Sequence, residues 1–138
     1  MAFVPLQYDQ GQLVKVSAAA STTITKGGTL VDNGSGYLTN GASSTAVDVP
    51  FVAMETVTTS ATDGDLVLCI RTRGGVIFEA DTDANPAQTD VGTYADLASV
   101  STVNPDASTN DLFYIEAIVG ALADRKVRGY FTEGVPNS

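Results

Sequence analysis

The chain contains no histidine, no tryptophan and a single cysteine, Cys69, among its 138 residues. Without histidine, Ser-His-Asp and Cys-His catalytic arrangements and every histidine-ligated metal site are excluded. One cysteine forms no intrachain disulfide, and its position in the apolar run LVLCI predicts a buried small hydrophobic residue. The phosphate-binding patterns GxxxxGK[ST] and GxGxxG are also absent. We therefore expect a protein that is not an enzyme and holds no cofactor.

Basic residues are scarce: the chain has seven Lys and Arg against sixteen Asp and Glu, which gives a net charge of −9. Such a charge repels the phosphate backbone of nucleic acids and the surface of anionic membranes, so neither is an expected partner. The longest apolar runs are too short to cross a bilayer, and the first ten residues lack the pattern of a signal peptide. We expect a soluble protein made in a cytoplasm.

What the chain does contain is typical of many short strands joined by tight turns. Its length fits one domain, and Thr, Ser, Ala, Val and Gly dominate it. Hairpin turns are predicted at Asn33-Gly34 and Asn40-Gly41, and further turns at Asp63-Gly64 and Gly74-Gly75. Residues 47–57 are predicted as one strand and residues 99–110 as a surface loop. Residues 111–132 alternate in the manner of two strands, and Gly120 interrupts a helical reading. The prediction is an all-β fold of about nine or ten strands, a small β-barrel or a sandwich.

Residues 1–20 differ from the rest, so we predict an extended N-terminal arm over 1–20 and a β-barrel domain over 21–138. Several large apolar side chains lie near the start of the arm, with a proline among them that favours extended backbone. These residues are Phe3, Val4, Pro5, Leu6 and Tyr8. Sixteen extended residues reach about 50 Å, which is enough to dock on a neighbouring molecule. A frayed terminus is the alternative.

Five of the seven basic residues fall in two predicted strands. They are Arg71, Arg73, Arg125, Lys126 and Arg128. If those strands pair or pack together, they form one basic patch that fits an acidic surface of a neighbouring subunit or larger assembly. Ordinary solvated strand faces are the alternative.

The segment Asp81-Thr82-Asp83-Ala84-Asn85 begins like a calcium-binding loop. The likeness ends downstream, because Pro86 stands where the loop needs glycine and Gly92 stands where it needs a bidentate glutamate. Turns capped by Asx side chains explain the pattern without a cation.

As a whole, the arrangement resembles the small head decoration, or cement, proteins of tailed bacteriophages. An apolar arm (AFVPLQY) precedes Gly-punctuated strands (ITKGGTLVDNGSGYLTNG). The segment VPFVAMETVTTSATDGDLVLCIRTRGGVIFEAD then carries an Asp-Gly turn, a central apolar strand and a Gly-Gly hairpin. The turn VGTY and the closing strands LFYIEAI and RKVRGYF complete the likeness.

This resemblance implies a β-barrel or β-tulip domain that forms homotrimers on the outer capsid surface of the virion. The trimers would bind the major capsid protein after the shell expands and clamp neighbouring capsomers. The arm would be the clamp, with Phe3, Leu6 and Tyr8 as its anchors.

Other readings stay open at this stage. A glycan- or fibre-associated β-sandwich module would need exposed aromatic residues on one face, and the chain has only five tyrosines. Another phage head or tail structural protein would differ only in partner and symmetry. A glycosidase-like carboxylate pair is the remaining enzymatic reading, since sixteen acids offer many pairs.

Overall fold

The computed structural model describes residues 3–132 and is all-β in this range, as predicted. It has thirteen strands where the sequence predicted nine or ten, and its three helical segments are single 3₁₀ turns. In chain order, β1 to β13 are Val4–Gln7, Leu13–Ala18, Thr23–Ile24, Thr29–Asp32, Leu38–Asn40, Phe51–Ala53, Val57–Thr58, Asp65–Arg71, Ile77–Thr82, Tyr94–Ser99, Thr102–Asn104, Phe113–Ile118 and Lys126–Phe131. The 3₁₀ turns are Gln10–Gln12, Gln88–Asp90 and Leu122–Asp124.

A closed barrel in the order β2-β5-β4-β6-β8 forms the first half of the fold. Its longest pairing is antiparallel and runs from Leu13 opposite Ile70 to Ala18 opposite Asp65. A short ribbon of β3 and β7 lies beside it. Small and branched residues fill its interior, which is how five short strands close around one narrow core. These core residues are Ala18, Ile24, Leu30, Leu38, Ala53, Val67 and Cys69.

The remaining strands form a second ring. Their hydrogen-bonding order is β1-β9-β11-β10-β12-β13, and β13 also pairs with β9. The five strands from β9 to β13 therefore form a closed ring. Strand β1 lies outside this ring, along an edge of β9. Strands β9 and β13 bury alternate residues, which gives the ring one apolar inner face and one polar outer face. The inner face is aromatic, with Phe78, Phe113 and Phe131 at its centre.

Two of the predicted turns differ from the prediction in form. Strands β4 and β5 do pair, but the loop between them is held by a hydrogen bond from Asn33 N–H to the Tyr37 carbonyl, so it is longer than a two-residue turn. Asn40-Gly41 makes no hairpin. Gly41 donates to the Thr29 carbonyl, and a Cβ there would overlap the Thr29 side chain, so glycine is required for close approach.

The pair Gly74-Gly75 is a turn but not a hairpin, which corrects the prediction. Both glycines have positive φ, +87° and +83°, and the strands that they join lie in different rings. The turn therefore carries the chain from the first barrel to the second ring. Residues 47–57, predicted as one strand, are split between β6 and β7, and the predicted loop at 99–110 contains β11.

Candidate functional site

The N-terminal segment, residues 3–12, lies on the chain's own second ring. Strand β1 runs antiparallel to β9, with Val4 opposite Glu79 and Pro5 opposite Phe78, and its register shifts between Pro5 and Gln7. Because β1 is the terminal strand of the sheet order, it is an edge strand, where the missing donor of a proline is tolerated.

Phe3, predicted as an anchor for a neighbour, is instead a core residue of its own domain. It is 1% exposed, and its ring centroid lies 4.9 Å from that of Phe131 and 5.7 Å from that of Phe113. Its N–H donates to the Gly27 carbonyl at 2.9 Å. Phe3 therefore fastens the segment to the body and is not available at the surface.

The other apolar residues of the segment are exposed. Val4 and Leu6 are each 47% exposed and Tyr8 is 45% exposed, while Pro5 is half-buried. Immediately after the segment comes β2, which is an integral strand of the first barrel. The barrel thus includes Leu13–Ala18, which the sequence division at residue 20 assigned to the arm.

An open cavity of 440 Å³ lies where the end of β1 meets the double-glycine turn. Gln12 closes one side of it, because its Nε2 donates to the Arg73 carbonyl at 2.6 Å and its Oε1 accepts from Asp9 N–H at 2.9 Å. The full lining is Leu6, Gln7, Tyr8, Asp9, Gln12, Gly74 and Gly75. Its walls combine the exposed Leu6 and Tyr8 with polar side chains and glycine backbone, and together they form a shallow notch at the end of β1.

The five predicted basic residues do not form one strand-paired patch. Arg71 ends β8 in the first barrel and Arg73 follows it. Arg125 precedes β13, and Lys126 and Arg128 lie within β13, which pairs with β12 and β9 in the second ring. Arg71 Nη1 donates to the Gly11 carbonyl at 2.9 Å, and Arg73 Nη2 forms an ion pair with Asp48 at 2.7 Å. Both guanidinium groups therefore hold loops of the same chain.

The second basic group is paired with the chain's own acids. Lys126 Nζ lies 2.8 Å from Asp81 Oδ1 and 3.8 Å from Glu79 Oε1, and Arg128 Nε lies 3.2 Å from Glu116 Oε1. The hydrogen bond that Lys126 donates to Asp81 raises the pKa of Lys126 above its ordinary value. The cations and carboxylates on this side of the second ring thus form two neighbouring ion-paired groups, one around Lys126 and one between Arg128 and Glu116, which we together call the charge network.

The loop that begins like a calcium site uses its oxygens within the protein. Asp81 accepts from Lys126, Asn85 Oδ1 accepts from Arg125 Nε at 3.0 Å, and the Asp83 carbonyl accepts from the same guanidinium. Within residues 3–132, no group of three or more His, Cys, Asp or Glu side chains is arranged to hold a metal ion.

A row of three tyrosines crosses the outer face of the second ring, and the sequence reasoning missed it. Tyr94, Tyr114 and Tyr130 occupy opposed positions on β10, β12 and β13. The Tyr94 and Tyr114 centroids lie 5.2 Å apart at 61°, and Tyr114 stacks on Tyr130 at 5.0 Å and 27°. We call these three residues the tyrosine row. The alternation in LFYIEAI and RKVRGYF places Tyr114 and Tyr130 on outer faces, but their alignment depends on the register.

The tyrosine row is a half-open surface. Tyr94 is 45% exposed and Tyr130 is 36% exposed, and Tyr114 between them is half-buried. Burial against its neighbours, followed by the effect of Tyr114, raises the pKa of Tyr130. The next outward positions hold Glu116, Arg128 and the rest of the charge network.

Cys69 is fully buried in the first barrel, as predicted. Burial, with a smaller contribution from Glu55, raises the pKa of its thiol from 9.0 to about 11. At neutral pH the sulfur is a thiol and not a nucleophilic thiolate.

No family model, curated protein or solved structure matches the chain. Among the residues that the structure describes, no helix has the length and hydropathy needed to cross a membrane.

Proposed function

We propose that the protein is a viral structural protein that binds the outer surface of an icosahedral phage capsid after expansion. In this proposal it forms a homotrimer, contacts the major capsid protein and holds neighbouring capsomers together. It needs no cofactor and performs no catalysis. The proposal begins from the sequence resemblance, and one structural observation supports the mode of contact.

That observation is the N-terminal segment, which is fastened at one residue and exposed at the next positions. Phe3 fills the core of the second ring, while Val4 and Leu6 project from the edge strand β1 and Tyr8 is exposed just beyond its end. An edge strand presents backbone groups to which an extended chain of a partner can add as a further strand. The exposed side chains would then supply apolar contact beside the new strand. In this form the contact is a rigid strip and not a free arm.

A rigid strip makes physical sense for a clamp. An arm that orders on binding loses conformational entropy, whereas a segment that is already docked does not. A contact of ordinary size, about 1,600 Å², is enough for stable binding. Three copies of such a contact in one trimer would raise the avidity by about 10² to 10⁴ without new chemistry.

The test is co-sedimentation of the protein with expanded and unexpanded capsids of the phage that encodes it. Leu6→Glu places a charge in the proposed contact, and Leu122→Glu is the matched control because both leucines are 47% exposed. We expect wild type and Leu122→Glu to pellet with expanded shells only. Leu6→Glu should bind at least about tenfold more weakly, which corresponds to about 1.4 kcal/mol per site.

Two results would overturn the proposal. One is a folded wild-type protein that stays in the supernatant with both kinds of shell. The other is Leu6→Glu binding as tightly as Leu122→Glu, which would remove the N-terminal segment from the contact.

A glycan- or fibre-associated binding module is the second candidate, and the tyrosine row is the observation that favours it. Aromatic rings on one outer face are a usual feature of sugar-binding surfaces. However, Tyr114 has a ring on each side, so the middle of the row offers edges and not an open face. Saccharide titration of wild type against Tyr94→Ser would separate this reading from the first.

A further inference from the structure

The tyrosine row and the charge network beside it form one continuous outer face, which we call the β12–β13 face. It comprises Tyr94, Tyr114, Tyr130, Glu79, Asp81, Glu116, Lys126 and Arg128. The ring behind it is closed, so these strands offer no free edge to a partner. Any contact here is made by side chains on the outer face.

The tyrosine row gives the β12–β13 face an aromatic centre of the kind found in protein interfaces. Tyrosine and arginine are enriched at the energetic centres of such interfaces, because they bury a large apolar area and keep a polar end. The row is already ordered by stacking, since the centroids of Tyr114 and Tyr130 lie 5.0 Å apart. Burying ordered rings costs little side-chain entropy.

Charge indicates which partner fits. The face carries three carboxylates and two cations, a net charge of −1, whereas the whole chain carries −9. Two copies of a strongly acidic protein repel each other over most of their surfaces. They repel least where acids and bases alternate, and there each cation can also face a carboxylate of the other copy.

We infer that the β12–β13 face is a contact surface for a second copy of this chain, with the tyrosine row at its centre. This inference deepens the proposed function, because it names the surface through which copies would associate, but its test needs no capsid. The N-terminal segment would then bind the capsid, and the β12–β13 face would bind other copies of the chain.

The experiment is sedimentation velocity of the full chain over about 1 µM to 1 mM, without capsids. Tyr94→Glu is compared with Tyr8→Glu, because both tyrosines are 45% exposed and only the first lies on the face. We expect wild type and Tyr8→Glu to associate, and the dissociation constant of Tyr94→Glu to rise at least tenfold. Arg128→Glu, at an exposed position, should weaken association in the same way if Tyr94→Glu does not fold.

Monomeric wild type throughout this range would overturn the inference, as would folded Tyr94→Glu and Arg128→Glu that associate like wild type. A saccharide that binds wild type and not Tyr94→Ser, with no association, would assign the row to glycan binding instead. The proposed function and this inference can be refuted separately. A protein that associates through this face but does not bind capsids would refute the proposed function and leave the inference standing.

Discussion

Replacing Phe3 by alanine tests whether the N-terminal segment is part of the folded body. The Phe3 side chain is 1% exposed and contacts three other phenylalanine rings, with centroid distances of 4.9, 5.7 and 6.4 Å. Removing a buried phenylalanine side chain costs about 3–5 kcal/mol, from lost transfer free energy and from the cavity left behind. We expect Phe3→Ala to lower the free energy of unfolding by that amount.

The assay is equilibrium unfolding in urea, followed by circular dichroism. With a slope of about 2 kcal/mol per molar urea for a domain of this size, the midpoint should fall by roughly 2 M. The control is Val4→Ala, because Val4 is the next residue and is 47% exposed. A surface change of that kind should alter stability by less than about 0.5 kcal/mol.

The refuting result is a Phe3→Ala protein as stable as Val4→Ala. That outcome would mean that Phe3 leaves the core readily in solution, so that the segment is a free arm, as the sequence alone predicted. It would also change the capsid proposal, because binding would then include the entropy cost of ordering the segment.

Two further predictions concern buried groups of the two rings. Asp96 is 6% exposed and accepts N–H groups from Thr109 at 3.1 Å, Asn110 at 2.7 Å and Asp111 at 3.0 Å, so Asp96→Ala should cost at least about 3 kcal/mol in urea unfolding. A loss below about 1 kcal/mol would show that this loop is not held by the carboxylate. Burial raises the pKa of the Cys69 thiol to about 11 in the folded protein. The contribution of this thiol to the free energy of unfolding is therefore complete below pH 9 and is lost as the pH rises toward 11, because the thiol of the unfolded chain ionises first. Wild type should therefore lose stability relative to Cys69→Ala over that window, and parallel pH profiles would contradict this.

Local pattern was sufficient to predict the fold class. Strands β9 and β13 alternate buried and exposed residues, and this alternation is visible in the sequence as a period of two. The two-strand interpretation of residues 111–132 is correct, because Val127 and Phe131 point into the core where a helix would have scattered them. The closing of two rings was not predicted, since it depends on which strands pair across long separations, such as β9 with β13.

Glycine was harder to interpret, because the sequence does not distinguish its two uses. Gly74 and Gly75 adopt positive φ, as a turn requires, yet they join two separate rings. Gly41 has no positive φ, and its missing side chain makes room for Thr29. The first use is local and the second depends on tertiary contacts, so only the first was within reach of the sequence.

The predicted contact residues differ from the exposed residues of the structure for a related reason. Leu6 and Phe3 are both large and apolar, so residue type does not show that Leu6 is exposed and Phe3 is buried. Only the docking of β1 on β9 determines which of the two side chains enters the core. Likewise the basic residues are distributed by topology, and their own acids neutralise most of the expected patch.

The edge strand β1 and the β12–β13 face suit different kinds of partner. The edge strand β1 keeps a backbone edge and apolar side chains available, which suits an extended segment of another protein. The β12–β13 face has no edge to offer, is close to neutral and is preordered by ring stacking, which suits a copy of the same chain. A protein that binds a large assembly in several copies needs both kinds of surface, and it needs them not to compete. Here one belongs to the N-terminal segment and the other to the last strands, so in the proposed function Tyr8→Glu should weaken capsid binding and leave self-association unchanged. Tyr94→Glu should weaken both, because the capsid avidity depends on the number of linked copies.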